Sequence, residues 1–155
     1  MNSEFQIYLD SLEPKFQLLM KMQPVTYSNL PKEMPERGIY LFSENGEHLY
    51  VGRSNKIRNR LLIHRWKSSN HNKAAFAFRI ARKHTGMLNA TYTKKDSRAS
   101  LEKKKRFCNA FSKAKERINK MDLRFVEETD PIRQALLEMY ISVVLKTEFN
   151  DFDNH

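Results

Sequence analysis

Residues 38–54 read GIYLFSENGEHLYVGRS, and this stretch decides the fold. Two short runs rich in Ile, Tyr, Leu, Phe and Val, at residues 38–42 and 47–51, flank the polar segment 43–46. That segment contains an Asn-Gly step, which is the strongest short-range signal for a tight two-residue turn between strands. The stretch therefore predicts a β-hairpin.

A helical period precedes the hairpin. Apolar side chains recur at three- and four-residue intervals over residues 3–22, which predicts a helix that packs through one face. Ser3 and Gln6 have the spacing of a capping box at its start. Pro14 interrupts the period and leaves two alternatives, one kinked helix or a short turn followed by a helix that starts near Glu13.

Further elements are predicted after the hairpin. The apolar and capping patterns indicate helices over residues 54–66, 73–84, 98–121 and 131–146, and a strand over residues 122–128. The last helix is apolar almost all round, so most of it is expected to be buried. The whole pattern predicts an α+β fold with a small antiparallel or mixed three-stranded sheet flanked by helices.

The charge balance indicates a polyanionic partner. The 155 residues include 28 Lys and Arg against 18 Asp and Glu, which gives a net charge of +10 and a pI near 9.8. Nucleic acid is favoured over an anionic membrane surface, because membrane binding usually needs a basic amphipathic helix with a broad exposed apolar face. An apolar content of 40% is enough for a core and excludes a chain that is mainly disordered.

The single cysteine, Cys108, excludes a disulfide framework and a multi-cysteine metal site. The first residues, MNSEFQ, lack the pattern of a secretory signal, and the longest nearly apolar stretch, residues 136–145, is too short and too polar to cross a bilayer. We therefore expect a cytoplasmic protein with no membrane span.

Five polar residues have a spacing that matches a known motif. Tyr40 in GIY and Tyr50 in YVG are ten residues apart, Arg60 follows ten residues later, and Glu138 and Asn150 are twelve apart near the end of the chain. This pattern resembles that of the GIY-YIG nuclease family. The combination is far more specific than either triplet alone.

The resemblance covers residues 36–152, with a longer middle segment than the smallest family members have. It implies a nuclease-like domain over residues 36–155 that carries a helical insertion at about residues 66–121. Residues 1–35 lie outside the resemblance and are expected to form an N-terminal helix and a connecting loop.

The resemblance implies a metal-dependent endonuclease that hydrolyses phosphodiester bonds, most of all in DNA, in repair, in restriction or defence, or in a mobile element. Tyr40 is the implied general base, Arg60 the cation beside the phosphate, and Glu138 the ligand for Mg²⁺ or Mn²⁺. His64 lies one helical turn after Arg60, where some members carry a catalytic histidine, and a surface role for it fits the sequence equally well. The implied catalytic residues are Tyr40, Tyr50, Arg60, His64, Glu138 and Asn150.

Substrate contacts are expected from basic and aromatic side chains. The expected nucleic-acid-binding residues are Arg53, Arg65, Trp66, Lys103, Arg106, Lys113, Arg117 and Lys120. Each basic residue alone is as well explained by a solvated helix face, and their joint excess on one side is what indicates a binding track. Glu138 also has a second interpretation, because residues 134, 138, 142 and 146 form a polar stripe that can simply face water.

Two other functions fit the same sequence. One is a non-catalytic nucleic-acid-binding protein that retains the nuclease fold, and the other is an interaction module whose basic surface meets an acidic protein. Within the nuclease hypothesis one active site cuts one strand, so cleavage of a duplex would need a homodimer or two successive events.

Overall fold

The computed structural model describes residues 1–87 and 104–153. Lys103 and the first part of the helix predicted over residues 98–121 lie outside these described residues. The chain divides into two compact units, which we call the sheet unit (residues 1–60 and 121–150) and the helical unit (residues 61–120 and 151–155). Each unit is described by itself.

The sheet unit contains a three-stranded antiparallel sheet. Its strands are β1 (Gly38–Glu44), β2 (Glu47–Ser54) and β3 (Asp122–Glu127), in the order β2-β1-β3. The β1–β2 turn has positive φ at Asn45 (51°) and Gly46 (81°), as an Asn-Gly hairpin turn requires. The α+β prediction with a small three-stranded sheet is confirmed, and the sheet is wholly antiparallel.

Two helices precede the sheet, α1 (Ser3–Asp10) and α2 (Leu12–Lys21), with the break at Ser11. The break precedes Pro14, which sits in the first turn of α2, where a missing N–H is tolerated. The predicted capping box was wrong. Asn2 is the N-cap instead, because its Oδ1 accepts hydrogen bonds from the N–H groups of Glu4 and Phe5.

The last helix of the sheet unit begins at the predicted residue and ends one residue early, and it is less buried than its sequence suggests. We number it α6 (Pro131–Leu145), and the Asp130 carboxylate caps it by accepting from the N–H groups of Ile132 and Arg133. Leu137 and Ile141 join α2 on one face of the sheet, in a core with Leu12, Phe16, Leu19, Ile39, Leu41, Val51 and Val126.

The prediction that most of α6 is buried was wrong. Ile132, Met139, Val143 and Val144 are between 45% and 67% exposed. The buried residues of the helix are Gln134, Leu137, Ile141 and Ser142. A small sheet covers one side of a helix only, so the apolar residues on the other sides of α6 stay in solvent.

The helical unit is built on an aromatic core. Helix α3 (Ile57–Arg65) begins in the sheet unit and runs into the helical unit, which also contains α4 (Ala75–Thr85) and α5 (Lys105–Ile118). Phe78 of α4 lies between two aromatic rings of α5, with ring centroids 5.1 Å from Phe107 and 6.0 Å from Phe111. Over residues 1–87 and 104–153, none of the helices combines the length and apolarity needed to span a bilayer.

Candidate active site

The hairpin register places two tyrosines on one face of the sheet. Tyr40 pairs with Gly52 and Phe42 pairs with Tyr50, so the two tyrosines are diagonal neighbours on adjacent strands. Their ring centroids are 6.5 Å apart, and the Phe42 ring contacts both. Tyr40 is 1% exposed and Tyr50 is 7% exposed. The aromatic cluster therefore holds the Tyr40 hydroxyl in one place.

The glycines of the two triplets have steric roles that the sequence pattern alone does not predict. A Cβ on Gly52 would lie 2.3 Å from the Cζ and Oη atoms of Tyr40, so the tyrosine ring rests directly on the glycine backbone. A Cβ on Gly38 would lie 2.0 Å from the carbonyl oxygen of Val126, where β3 pairs with β1. Any larger residue at Gly52 displaces Tyr40, and any larger residue at Gly38 displaces β3.

Arg60 reaches the same hydroxyl group from α3. The helix start is fixed by two backbone groups, since Ile57 N–H donates to the carbonyl of Glu36 (2.9 Å) and Lys56 N–H donates to Ser54 Oγ (2.9 Å). The Arg60 side chain donates a hydrogen bond to Tyr40. A permanently charged guanidinium is thus aimed at a buried phenol.

Burial decides the protonation of Tyr40. Desolvation raises its pKa well above 10.0, and the neighbouring Tyr50 raises it further. The charge and hydrogen bond of Arg60 lower the pKa, whereas the charge of Glu138 raises it. The raising causes dominate, so Tyr40 is a neutral phenol at neutral pH and a hydrogen-bond donor in the protein as described.

Glu138 lies on the polar stripe of α6, and that stripe turns toward the protein. Gln134 is 3% exposed and Ser142 is 7% exposed. The Gln134 amide donates to the carbonyl of Glu128 (2.6 Å) and to Asn55 Oδ1 (3.2 Å). The interpretation of the stripe as a water-facing surface is therefore wrong for these two residues, and the Glu138 side chain retains 22% exposure.

Arg53 forms an ion pair with Glu138, with 3.0 Å between Arg53 Nε and Glu138 Oε2. The Arg53 side chain is 48% exposed, so solvent screens the pair, and an ion pair of this kind adds little net stability. Arg53 was predicted to contact nucleic acid, and here it holds the carboxylate predicted to bind the metal. Replacing Arg53 by another cation beside Glu138, or Glu138 by a phosphate beside Arg53, therefore costs little free energy.

The residues present fit a hydrated divalent cation that shares its coordination shell with a substrate. Mg²⁺ is usually bound through one or two carboxylates, with waters and substrate phosphates as the other ligands. Glu138 offers one partly exposed carboxylate, and its charge acts on the Tyr40 hydroxyl. Among the described residues, no group of three or more His, Cys, Asp or Glu side chains lies close enough together to coordinate a metal ion.

Asn150 closes the free edge of β2. Its Oδ1 accepts from the N–H of Val51 (2.9 Å) and its Nδ2 donates to the carbonyl of Val51 (2.8 Å). Phe149 N–H donates to the carbonyl of Leu49 (3.1 Å), and the Thr147 hydroxyl donates to Asn150 Oδ1 (2.7 Å). Because Val51 follows Tyr50, these bonds fix the strand that carries Tyr50, which makes Asn150 a positioning residue here.

His64 was predicted to be catalytic, and the structure places it inside the helical unit. Its side chain is 0% exposed and its ring centroid lies 6.5 Å from that of Phe76. The ring packs against Phe76 in the interior of this unit, so the geometry supports a packing role.

Comparisons with known proteins add no relative. No family model, no curated protein and no solved structure matches this chain. The GIY-YIG assignment stays a prediction that rests on the residues and their geometry.

The helical unit carries a basic cleft at the N-terminal half of α5. The cleft has a volume of about 510 Å³ and is lined by His84, Thr85, Lys105, Arg106, Asn109, Ala110 and Lys113. Arg106 Nη2 donates to the carbonyl of Thr85 (3.3 Å), which orients the guanidinium across the cleft. None of these described lining residues is acidic, so the cleft favours an anion such as a phosphate.

The other predicted nucleic-acid-binding residues of this unit differ in exposure. Arg117 and Lys120 are exposed, as is Trp66. Arg65 is partly buried and donates from Nη1 to Asn119 Oδ1 (2.8 Å). The structure thus brings Arg106 and Lys113 together in one cleft and places Arg65 and Trp66 at a second, smaller cleft.

Proposed function

We propose that this protein is a metal-dependent endonuclease that hydrolyses phosphodiester bonds in DNA. One observation carries the proposal. The buried hydroxyl of Tyr40 accepts a hydrogen bond from Arg60, the Tyr50 ring lies 6.5 Å from the Tyr40 ring, and the charge of Glu138 acts on the same hydroxyl. Four residues separated by up to 98 positions in the chain thus interact with one hydroxyl group, and they are residues that the GIY-YIG resemblance implies.

Arg60 and Tyr40 would act on the scissile phosphate. A guanidinium fixed by its hydrogen bond to a buried phenol is preorganised, so it stabilises the growing negative charge without reorganising during the reaction. Tyr40 stays protonated and would donate its hydroxyl hydrogen to a phosphate oxygen or hold the attacking water. This role replaces that of general base, because burial disfavours the phenolate at neutral pH.

Glu138 would hold the divalent cation through its partly exposed carboxylate. An ion held there would supply Lewis-acid stabilisation of the leaving oxygen. Glu138 would leave Arg53 when the cation binds, and the freed guanidinium of Arg53 is then positioned to contact a phosphate of the substrate.

The proposed reaction is a hydrolysis. The water oxygen forms a bond to phosphorus, the bond from phosphorus to the 3′ oxygen breaks, and a water proton ends on that oxygen, which leaves a 5′ phosphate and a 3′ hydroxyl. One such site cuts one strand, so the proposal for duplex DNA includes a homodimer or two sequential cuts.

The test is a cleavage assay on supercoiled plasmid and on single-stranded DNA, each with Mg²⁺, with Mn²⁺ and with EDTA. We expect metal-dependent nicking that Tyr40→Phe and Glu138→Ala each reduce by at least about 100-fold, a loss typical for removal of one preorganised group. Tyr8→Phe and Glu47→Gln are the matched controls, since both change a residue of the sheet unit outside the site. Nicking that persists in EDTA, or in both site variants, would contradict the proposal.

A non-catalytic nucleic-acid-binding protein is the second candidate. The ion pair between Arg53 and Glu138 favours it, because that pair engages the carboxylate that a metal would need. The two candidates differ in outcome: this one requires salt-sensitive DNA binding with no cleavage in any metal.

A further inference from the structure

Trp66 is the only tryptophan of the chain, and it lies exposed in a cleft of the helical unit. Its side chain is 44% exposed. The cleft has a volume of about 280 Å³ and is lined by Arg65, Trp66, Lys67, Lys115, Glu116 and Asn119. An exposed aromatic ring flanked by cations is the arrangement that binds unpaired bases of nucleic acids.

Four hydrogen bonds hold the backbone around Trp66. Ser69 N–H donates to the carbonyl of Trp66 (3.1 Å), and the Ser69 hydroxyl donates to the carbonyl of Ile63 (2.7 Å). The Lys115 ammonium donates to the carbonyls of Lys67 (2.9 Å) and Ser69. Trp66 is therefore presented on a rigid loop, so a ligand that stacks on it does not have to order the loop first.

Lys115 serves this loop and is not a phosphate ligand. Its side chain is only 5% exposed, and its ammonium lies 4.2 Å from the centroid of the Phe111 ring. A buried lysine that donates to two carbonyls and rests on an aromatic face has its charge satisfied within the protein. Of the other two cations that line the cleft, Lys67 is exposed, and Arg65 is partly buried and donates to Asn119.

The polar walls suit the edge of a base. Arg65 Nη1 donates to Asn119 Oδ1 (2.8 Å), which orients the Asn119 amide so that its nitrogen can donate to a ligand. Glu116 is exposed and offers acceptor oxygens. Every nucleobase carries both donors and acceptors on its edges, whereas a phosphate has acceptors only and would be repelled by Glu116.

We infer that this cleft binds one unpaired nucleobase stacked on Trp66, so the nucleic acid that the protein acts on is single-stranded or contains unpaired nucleotides. The inference rests on the proposed function, since it takes nucleic acid as the substrate. The volume lies just below the range of about 300–1,000 Å³ found for pockets of drug-sized ligands, which suits one base. Bases inside a duplex are stacked and paired, so their faces cannot reach Trp66.

The experiment follows the fluorescence of Trp66 in the wild-type protein, because no other tryptophan contributes. The protein in EDTA is titrated with a single-stranded oligodeoxynucleotide, with its duplex, and with an abasic strand of the same length. We expect saturable quenching by the single strand and none by the duplex or the abasic strand. Trp66→Ala should weaken binding of the single strand by about 5- to 150-fold, and Trp66→Phe should restore most of it.

Phe5→Ala is the matched control, because Phe5 is 41% exposed, close to the value for Trp66, and lies in the sheet unit. Equal quenching by duplex and single strand, or unchanged affinity in Trp66→Ala, would overturn the inference. The outcome is separable from the proposed function. Quenching without cleavage in any metal would refute the proposed nuclease activity and support base binding at Trp66. Metal-dependent nicking without quenching would support the nuclease activity and refute base binding at Trp66.

Discussion

Asn150 gives the sharpest test of how the C-terminal segment supports the site. Replacing Asn150 with Ala removes the two hydrogen bonds to Val51 (2.9 and 2.8 Å) and the acceptor of the Thr147 hydroxyl. Val51 is 0% exposed, so its N–H and carbonyl lose their partners in a place that water does not readily reach. Each such group costs about 1–3 kcal/mol, so we expect a loss of about 2–5 kcal/mol in the free energy of unfolding.

The assay is thermal unfolding followed by circular dichroism. For a chain of this size the loss corresponds to a fall of about 4–20 °C in Tm. Asn59→Ala is the matched control, because Asn59 is exposed on α3 and should leave Tm within about 2 °C. An unchanged Tm in Asn150→Ala together with abolished cleavage would show that the hydrogen bonds from Asn150 to Val51 do not stabilise β2. That result would favour a direct catalytic role for Asn150.

Asn150→Asp keeps the oxygen that accepts from Val51 N–H and removes the amide that donates to the Val51 carbonyl. The second carboxylate oxygen would face the carbonyl of Val51. An ionised carboxylate has no hydrogen to donate to that carbonyl, so the hydrogen bond is replaced by repulsion between two oxygens. We expect a similar loss of stability at neutral pH. The loss should diminish as the pH falls through the pKa of the introduced carboxyl, because the protonated acid can donate to that carbonyl. A stability difference from wild type that does not change with pH would contradict this reasoning.

Three further perturbations have expected outcomes. Gly52→Ala would place a methyl group 2.3 Å from Tyr40 and should cost about 1–3 kcal/mol in urea unfolding and abolish cleavage. Lys105→Ala with Lys113→Ala should reduce the slope of log affinity for DNA against log salt by about 1–2. Burial, and then Arg124, lower the pKa of His48 below 6.5, so its neutral form stabilises the fold above that pH and the stabilisation is lost as the pH falls. His48→Gln should therefore flatten the loss of stability below about pH 6.5, measured by urea unfolding against pH.

Each of these predictions has its own contradicting result. Wild-type stability and activity in Gly52→Ala would show that the position of the Tyr40 ring does not require a glycine at residue 52. Lys21→Ala with Lys32→Ala removes the same net charge from the sheet unit and should leave the salt slope unchanged. An equal reduction in both double variants would mean that net charge, and not the cleft, drives binding. A His48→Gln variant with the same pH profile as wild type would exclude His48 as a source of that profile.

The elements that the sequence predicts best are those with strong local signals. The Asn-Gly turn predicts the hairpin. It does not predict the register shift between Phe42 and Ser43, and that shift is what places Tyr40 and Tyr50 on one face. Asp130 followed by Pro131 predicts the start of α6, and Gly86 predicts the end of α4 with a φ of 73°. In each case the deciding interaction lies within a few residues along the chain, so pattern and structure agree.

The predictions that fail depend on contacts from distant parts of the chain. The apolar surface of α6 predicts burial all round, but the three-stranded sheet covers one side only and that side carries Gln134 and Ser142. The pairing of Glu138 with Arg53 joins α6 to β2 and leaves no trace in the local pattern. The hydrogen bonds between Asn150 and Val51 are similarly nonlocal, since 99 positions separate the two residues.

The central claim is that Glu138 supports chemistry at the Tyr40 and Arg60 site, and a comparison of binding and cleavage in Glu138→Gln tests it most directly. One labelled DNA strand is used for both measurements, with affinity taken in EDTA and cleavage taken across a titration of Mn²⁺. The account predicts affinity within about twofold of wild type and a cleavage rate lower by at least about 100-fold at every metal concentration. Cleavage by Glu138→Gln at the wild-type rate would contradict the account.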